Sequence, residues 1–302
     1  MKKKTYLFAL MAMALALGSC SDNENGIGGE TSKYITVSTS IGNMTRVATD
    51  ANGGQTFEEG DEISVYAWTG APTVAPETRE RVVNNAINKL TNGSWVSTPQ
   101  MLWKNNRDKH YFIGVYPISA SAISDLSAGE YTFDETKQVE SDLLVAVNKD
   151  GLSYNVDEQQ TVPLTFTHVM AKLVVNLTYK NQWGGIPTVE KVVVGNAAKE
   201  ATINYLTKVV TPSTTAKEDF SLPEITENTK YVSVIIPQED VKQLTIVIDG
   251  KNFVYDNGTP FKLESSKITT VNLEVGRDEI KLGDVKITDW EDGSTFSGEA
   301  IN

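Results

Sequence analysis

Apolar and polar side chains alternate every second residue through most of this chain, and that period leaves little room for anything but strands. Residues 34–41 set the pattern: Ile35, Val37 and Ile41 fall on one face, with Thr36, Ser38 and Ser40 on the other, as in a strand with one buried side. Comparable runs occupy 62–68, 111–116, 142–147, 162–166, 171–179, 189–194, 231–236 and 267–275. Residues 244–255 read as a whole hairpin, because Asp249-Gly250 supplies the positive φ angles of a tight turn between two apolar runs. Asn92-Gly93, Asp150-Gly151 and Asn257-Gly258 are expected to be further turns. Helical spacing is weak; residues 76–90 come closest, and 82–90 also read as strand. The pattern predicts an all-β fold of antiparallel sandwiches. No repeat of 20–50 residues is present, which speaks against a solenoid or propeller.

The N-terminus follows a different rule. Lys2, Lys3 and Lys4 precede an apolar run over 6–17, then Gly18 and Ser19, which is the layout of a secretory signal. The run is shorter than the ~20 residues a spanning helix needs. Leu17-Gly18-Ser19-Cys20 resembles a bacterial lipobox, so cleavage is expected after residue 19 and acylation at Cys20, the only cysteine in the chain. No intrachain disulfide can therefore form. Residues 20–33 offer almost nothing to bury and read as a flexible tether between lipid and folded body.

About 280 residues remain after the signal, more than one core usually serves, so two domains are expected, at 34–160 and 161–302. The formal charge is −12, and no basic run occurs beyond the N-terminus. Nucleic acid and anionic headgroups are poor partners for such a surface.

Chemistry is scarce. Only two histidines are present, His110 and His168, and each reads as a hydrogen-bonded packing residue. There is no HExxH, no CxxC pair and no GxSxG elbow, so zinc sites and a serine nucleophile have no support. Gly26, Gly28 and Gly29 lie in the tether rather than in a phosphate loop. The acidic stretches at 50–53 and 289–293 lack the ligand spacing of a calcium loop and read as turns. Nothing singles out a pair of catalytic carboxylates. No enzyme activity, metal or cofactor is expected. Trp68, Trp95, Trp103, Trp183 and Trp290 could form a sugar-stacking platform, which keeps a glycan-binding surface lipoprotein of a polysaccharide-uptake system as the alternative reading.

Several stretches together carry a family resemblance. Thr45-Arg46, then 56–65 (TFEEGDEISV), Tyr116-Pro117, 141–144 (SDLL), 164–173 (LTFTHVMAKL) and 285–290 (VKITDW) are similar, in order and spacing, to the fimbrillin-like lipoproteins of Bacteroides-type bacteria. Ser21-Asp22-Asn23-Glu24 also resembles the acidic signal that sends lipoproteins of such bacteria to the outer face of the outer membrane. The resemblance implies two tandem transthyretin-like sandwiches, with 166–168 opening the second. It further implies a non-enzymatic role as a type V pilus subunit or surface adhesin, with other pilin subunits as partners and a host or bacterial surface protein or glycan as a further one.

In type V pilins a protease cuts after an arginine that follows the first strand, that strand leaves, and a strand from the next subunit fills the groove. Arg46, in a polar stretch after 34–41, is then the expected cleavage residue, and Val47 the new N-terminus. Residues 279–290 fit a donor strand: Ile280 and Leu282 alternate with Lys281, Gly283-Asp284 can host a bulge, and Val285 and Ile287 alternate with Lys286. The competing expectation is that 285–290 completes the second sandwich of its own subunit, with Trp290 as a core anchor.

Overall fold

The computed structural model describes residues 33–42, 57–119, 121–138, 140–155 and 160–290; Cys20, the tether before Lys33, Arg46 and Val47 lie outside them. In chain order the strands are β1 (Thr36–Ile41), β2 (Glu62–Thr69), β3 (Arg81–Thr91), β4 (Ser94–Thr98), β5 (His110–Tyr116), β6 (Gly129–Thr132), β7 (Leu144–Leu152), β8 (Thr161–His168), β9 (Ala171–Tyr179) and β10 (Val189–Ala198). There follow β11 (Glu200–Asn204), β12 (Val209–Pro212), β13 (Lys217–Ser221), β14 (Glu224–Thr226), β15 (Lys230–Ile235), β16 (Gln238–Ile248), β17 (Lys251–Leu263), β18 (Lys267–Val275) and β19 (Ile280–Asp289). Among the described residues the only helical elements are two single 3₁₀ turns, at Thr78–Glu80 and Asn181–Trp183. The weakly helical stretch resolves into the first of these turns followed by β3.

The strands form a seven-stranded sheet in the order β1-β8-β7-β5-β2-β3-β4, a five-stranded sheet β14-β15-β9-β18-β19, a four-stranded sheet β13-β10-β16-β17, and a three-stranded sheet β12-β11-β6. Most pairs are antiparallel, as the turn-punctuated pattern predicts, but β1 with β8 and β9 with β18 run parallel. Alternation reports which face of a strand is buried and is silent on its direction, so these two pairings carry no sequence signal.

Burial explains the strand sequences. Ile63, Val65 and Ala67 of β2 point into one hydrophobic cluster, with Phe112, Leu144, Ala146, Val162, Leu164 and Phe166. Tyr66 and Trp68 point the other way, into a second cluster that continues through Ile113, Val115 and Val145 to Leu173, Val175, Ile246 and Val271 of the later sheets. β2 and β5 are therefore apolar on both faces, whereas β8, covered on one face, keeps strict alternation. Phe166 packs so close to β5 that a Cβ on Gly114 would sit 2.6 Å from its ring, which explains a glycine in mid-strand.

Of the four expected turn pairs, two are tight hairpin turns. Asn92-Gly93 (φ 51° and 72°) joins β3 to β4, and Asp249-Gly250 (φ 52° and 69°) joins β16 to β17. The other two lie inside strands. Gly151 and Gly258 keep positive φ but belong to β7 and β17, where the pairing with β5 and β16 slips register. A residue with positive φ can end a strand or bulge it, and the dipeptide alone does not say which.

Residue 161 opens β8, which pairs with β7 and β1 of the seven-stranded sheet. From His168 the chain crosses over Val169 and Met170 to β9 in the five-stranded sheet. The three-stranded sheet ties the halves of the sequence together, because β6 pairs with β11.

Candidate functional site: the first and last strands

β1 lies at the margin of the seven-stranded sheet, and its alternation sorts its side chains. Ile35, Val37 and Ile41 are buried in the first cluster. On the outer face Thr36 and Ser40 hydroxyls meet those of Thr161 and Thr165 on β8 at 3.2 and 3.1 Å. The other long side of the segment is also bonded: Ile35 N–H donates to Met101 O, Trp103 N–H donates to Lys33 O, and the Trp95 indole N–H donates to Thr39 Oγ1 at 3.0 Å. The segment thus closes the gap between the β8 edge and the chain around Met101, and its withdrawal would open a hydrogen-bonding edge above an apolar floor.

The residues just before β2 brace this region. Phe57 meets Trp95, Tyr116 and Phe166 edge to face, with centroids 5.1–5.4 Å apart. Asp61 accepts from Glu58 N–H at 2.7 Å, and the Glu59 carboxylate accepts from the N–H groups of Asn92 and Gly93, capping the β3–β4 turn. These contacts account for much of the TFEEGD stretch.

β19 is the edge strand of the five-stranded sheet, antiparallel to β18. Its sequence changes phase at Gly283, and the pairing changes register at the same place: Ile280, Leu282, Val285 and Ile287 lie opposite Val275, Leu273, Val271 and Thr269. A bulge therefore brings all four apolar residues to the core side of the sheet. There is little room for a side chain at the bulge, since a Cβ on Gly283 would lie 3.2 Å from Asn272 O. The cover over this face is incomplete; Val285 and Ile287 are each 39% exposed. Trp290, next along the chain, is 3% exposed.

Both histidines have packing roles. His110 is fully buried, its Nδ1 at 3.0 Å from Asp108 O and its Nε2 accepting from Lys104 N–H at 3.0 Å. Burial holds its pKa below the ordinary value, consistent with a neutral ring donating from Nδ1. His168 Nδ1 lies 2.8 Å from Asp142 Oδ1, and its ring stacks on Trp290 at 4.1 Å and 6°. The sequence marked His168 and Trp290 separately; nothing in their spacing announces that they meet.

The tryptophans do not share an open face. Trp68 and Trp103 show only their margins to a surface cleft of about 770 Å³ that Val74, Arg79, Leu102 and Lys104 also line. The Trp68 indole N–H is bonded to Ala71 O, and Trp103 stacks on Tyr154. Trp183 donates to Val275 O under Arg277. Among the described residues no group of three or more His, Cys, Asp or Glu side chains is placed to hold a metal ion. Asp289 of the acidic 289–293 stretch pairs with Lys267; residues 50–53 and 291–293 lie outside the described residues.

The fold is shared with solved structures. A candidate cell adhesion protein of Bacteroides uniformis superposes with a TM-score of 0.63 at 18% identity, over 86% of this chain and 100% of the other. A candidate cell adhesion protein of Bacteroides ovatus gives 0.61 at 17%, over 85% and 98%. A fimbrial protein of Bacteroides vulgatus gives 0.50 at 12%, over 76% and 92%. No curated protein sequence matches. Residues 45–290 match the fimbrillin-like family, a span that runs from the residue before Arg46 to Trp290. The chain thus belongs to the fimbrillin-like family, a family of structural and not catalytic proteins.

Proposed function

We propose that this protein is a structural subunit of a type V pilus or related surface adhesin, lipid-anchored at the outer membrane through Cys20 and built as two tandem transthyretin-like sandwiches that divide where the chain crosses from β8 to β9, a few residues later than the expected start of the second domain at residue 161. In this reading, cleavage between Arg46 and Val47 frees β1, and a strand from a neighbouring pilin subunit takes its place. Residues 279–290, through Ile280, Leu282, Val285 and Ile287, are the segment this subunit offers in turn. Such β-augmentation draws strength from backbone bonds and register from alternating side chains in pockets.

The observation that carries the reading is the setting of β1. It is a six-residue marginal strand with its apolar face in the first cluster, and the residues that follow Gly42 include Arg46. A strand so placed is separable by one cut, and the edge it leaves is complementary to another strand. Family membership supports other pilin subunits as partners. The test is mass spectrometry of the protein recovered from assembled filaments. An N-terminus at Val47 is expected; filament material that begins at Cys20 would show that β1 is retained, and the cleavage assignment would fall.

A further inference from the structure

We propose that Trp290 is a latch that holds β19 in its own subunit, so that the strand is released from its C-terminal end when this one side chain leaves its socket. The inference deepens the donor-strand reading, but its test needs no polymer.

The two ends of β19 are held in different ways. At its start, the chain between β18 and β19 is a short turn closed by Gly276 N–H to Glu279 O at 2.8 Å, with Lys180 paired to Glu279. That end stays near β18 through the turn itself, this ion pair and the partly buried Ile280 and Leu282. Along its length the strand has a partner on one side only, and its apolar side chains are partly uncovered, with Val285 and Ile287 each 39% exposed. Burial is concentrated at the residue that follows: Trp290 is 3% exposed.

The socket is built from elements that do not depend on β19. His168, the last residue of β8, stacks flat on the indole at 4.1 Å. Asp142, which precedes β7, holds the imidazole by its Nδ1 at 2.8 Å and fixes the plane of stacking. Lys172 of β9, itself 2% exposed, has its Nζ 5.3 Å from the indole centroid. The hydroxyl of Ser266, beside β18, donates to His168 O, and Trp290 N–H donates to Ser266 O at 3.1 Å. A flat aromatic stack under a buried cation is a specific site for an indole, beyond the area it buries. Withdrawal of Trp290 leaves β19 with an edge ladder and a half-covered face, the kind of element that opens locally without global unfolding.

Hydrogen–deuterium exchange on the full chain reads this directly. Trp290→Ala should raise exchange about a hundredfold or more at those amides of Ile280–Asp289 that bond to β18, as expected for loss of a buried aromatic side chain, with β9 and β16 little changed. Trp290→Phe keeps a ring on His168 and should raise it only a few-fold, still confined to β19. Unchanged exchange in β19 in the alanine variant would overturn the latch. If the alanine variant does not fold, the phenylalanine variant decides: a rise confined to β19 supports the latch, and no rise or a uniform rise overturns it. Wild-type protein that never polymerises while its latch behaves as described would tell against donation alone.

Discussion

Gly114→Ala tests the packing on which β1 rests. Gly114 sits in β5, and a methyl group there would lie 2.6 Å from Phe166 Cζ and 3.2 Å from both Phe166 Cε1 and Leu164 Cδ1. Phe166 cannot swing aside easily, because it is fully buried and Phe57 stands edge-on 5.1 Å away. Overpacking of this kind costs about 1–3 kcal/mol, offset by up to ~1 kcal/mol from replacing a mid-strand glycine; a net loss of about 1–2 kcal/mol is expected. Phe166→Leu alone should lose about 1–2 kcal/mol through the cavity it leaves. In the double variant the new methyl enters space the ring has vacated, so the combined loss should fall short of the sum by about 1 kcal/mol or more. Urea unfolding of the four proteins at a common m-value measures each step. Additivity within ~0.5 kcal/mol, or a Gly114→Ala protein as stable as wild type, would refute the claim that Phe166 occupies the place of a side chain on β5. The outcome bears on the site because Phe166 is the register partner of Ile41, and its carbonyl accepts from Gly42 N–H.

Cys20→Ala should move the protein out of the membrane fraction and abolish acylation, read by detergent partitioning and metabolic labelling with a fatty acid; unchanged partitioning would contradict the anchor. A chain ended after Arg277 loses β19 and Trp290 and should unfold cooperatively at a lower denaturant midpoint while failing to polymerise. Loss of cooperativity would show that the strand is integral to its own sandwich. His110 has its folded pKa depressed by burial, so its contribution to stability is present above the unfolded value of ~6.5 and is lost as pH falls from there toward the folded value. The fall in stability between pH 7 and pH 5 should therefore be smaller in His110→Gln than in wild type, read as denaturation midpoints across that range; equal slopes would refute it.

The strand content was legible because alternation is a local consequence of one buried face, and β1 and β8 show it plainly. What stayed hidden depends on partners distant in sequence. Parallel pairing of β1 with β8 brings together residues more than a hundred positions apart. The bulges at Gly151 and Gly258 look like turns until the strand they oppose is known. The site was legible in part for the same reason. The apolar residues of β1 and β19 could be picked out by their period, whereas the meeting of His168, Lys172 and Trp290 joins the end of β8, the start of β9 and the residue after β19.

The two terminal strands differ in what they demand of a substitute. The slot of β1 accepts apolar side chains at three positions spaced as Ile35, Val37 and Ile41, and at the place of Thr39 it needs an acceptor for the Trp95 indole N–H. It also supplies backbone partners, from β8 along the length of β1 and from Met101 and Trp103 on the other side at Ile35 and Lys33. A strand that fills it must therefore match a mixed pattern and not simply be apolar. β19 as paired with β18 has four apolar residues on one face only because the chain bulges at Gly283. Laid out as an unbroken strand, Ile280 and Leu282 would fall on one face, and Val285 and Ile287 on the other. The strand can present its four side chains to a partner's groove only by carrying the bulge with it; without the bulge, one half faces the groove and the other faces solvent. The glycine that lets the strand lie in its own sheet is thus also the residue that decides how much of it a second groove can hold.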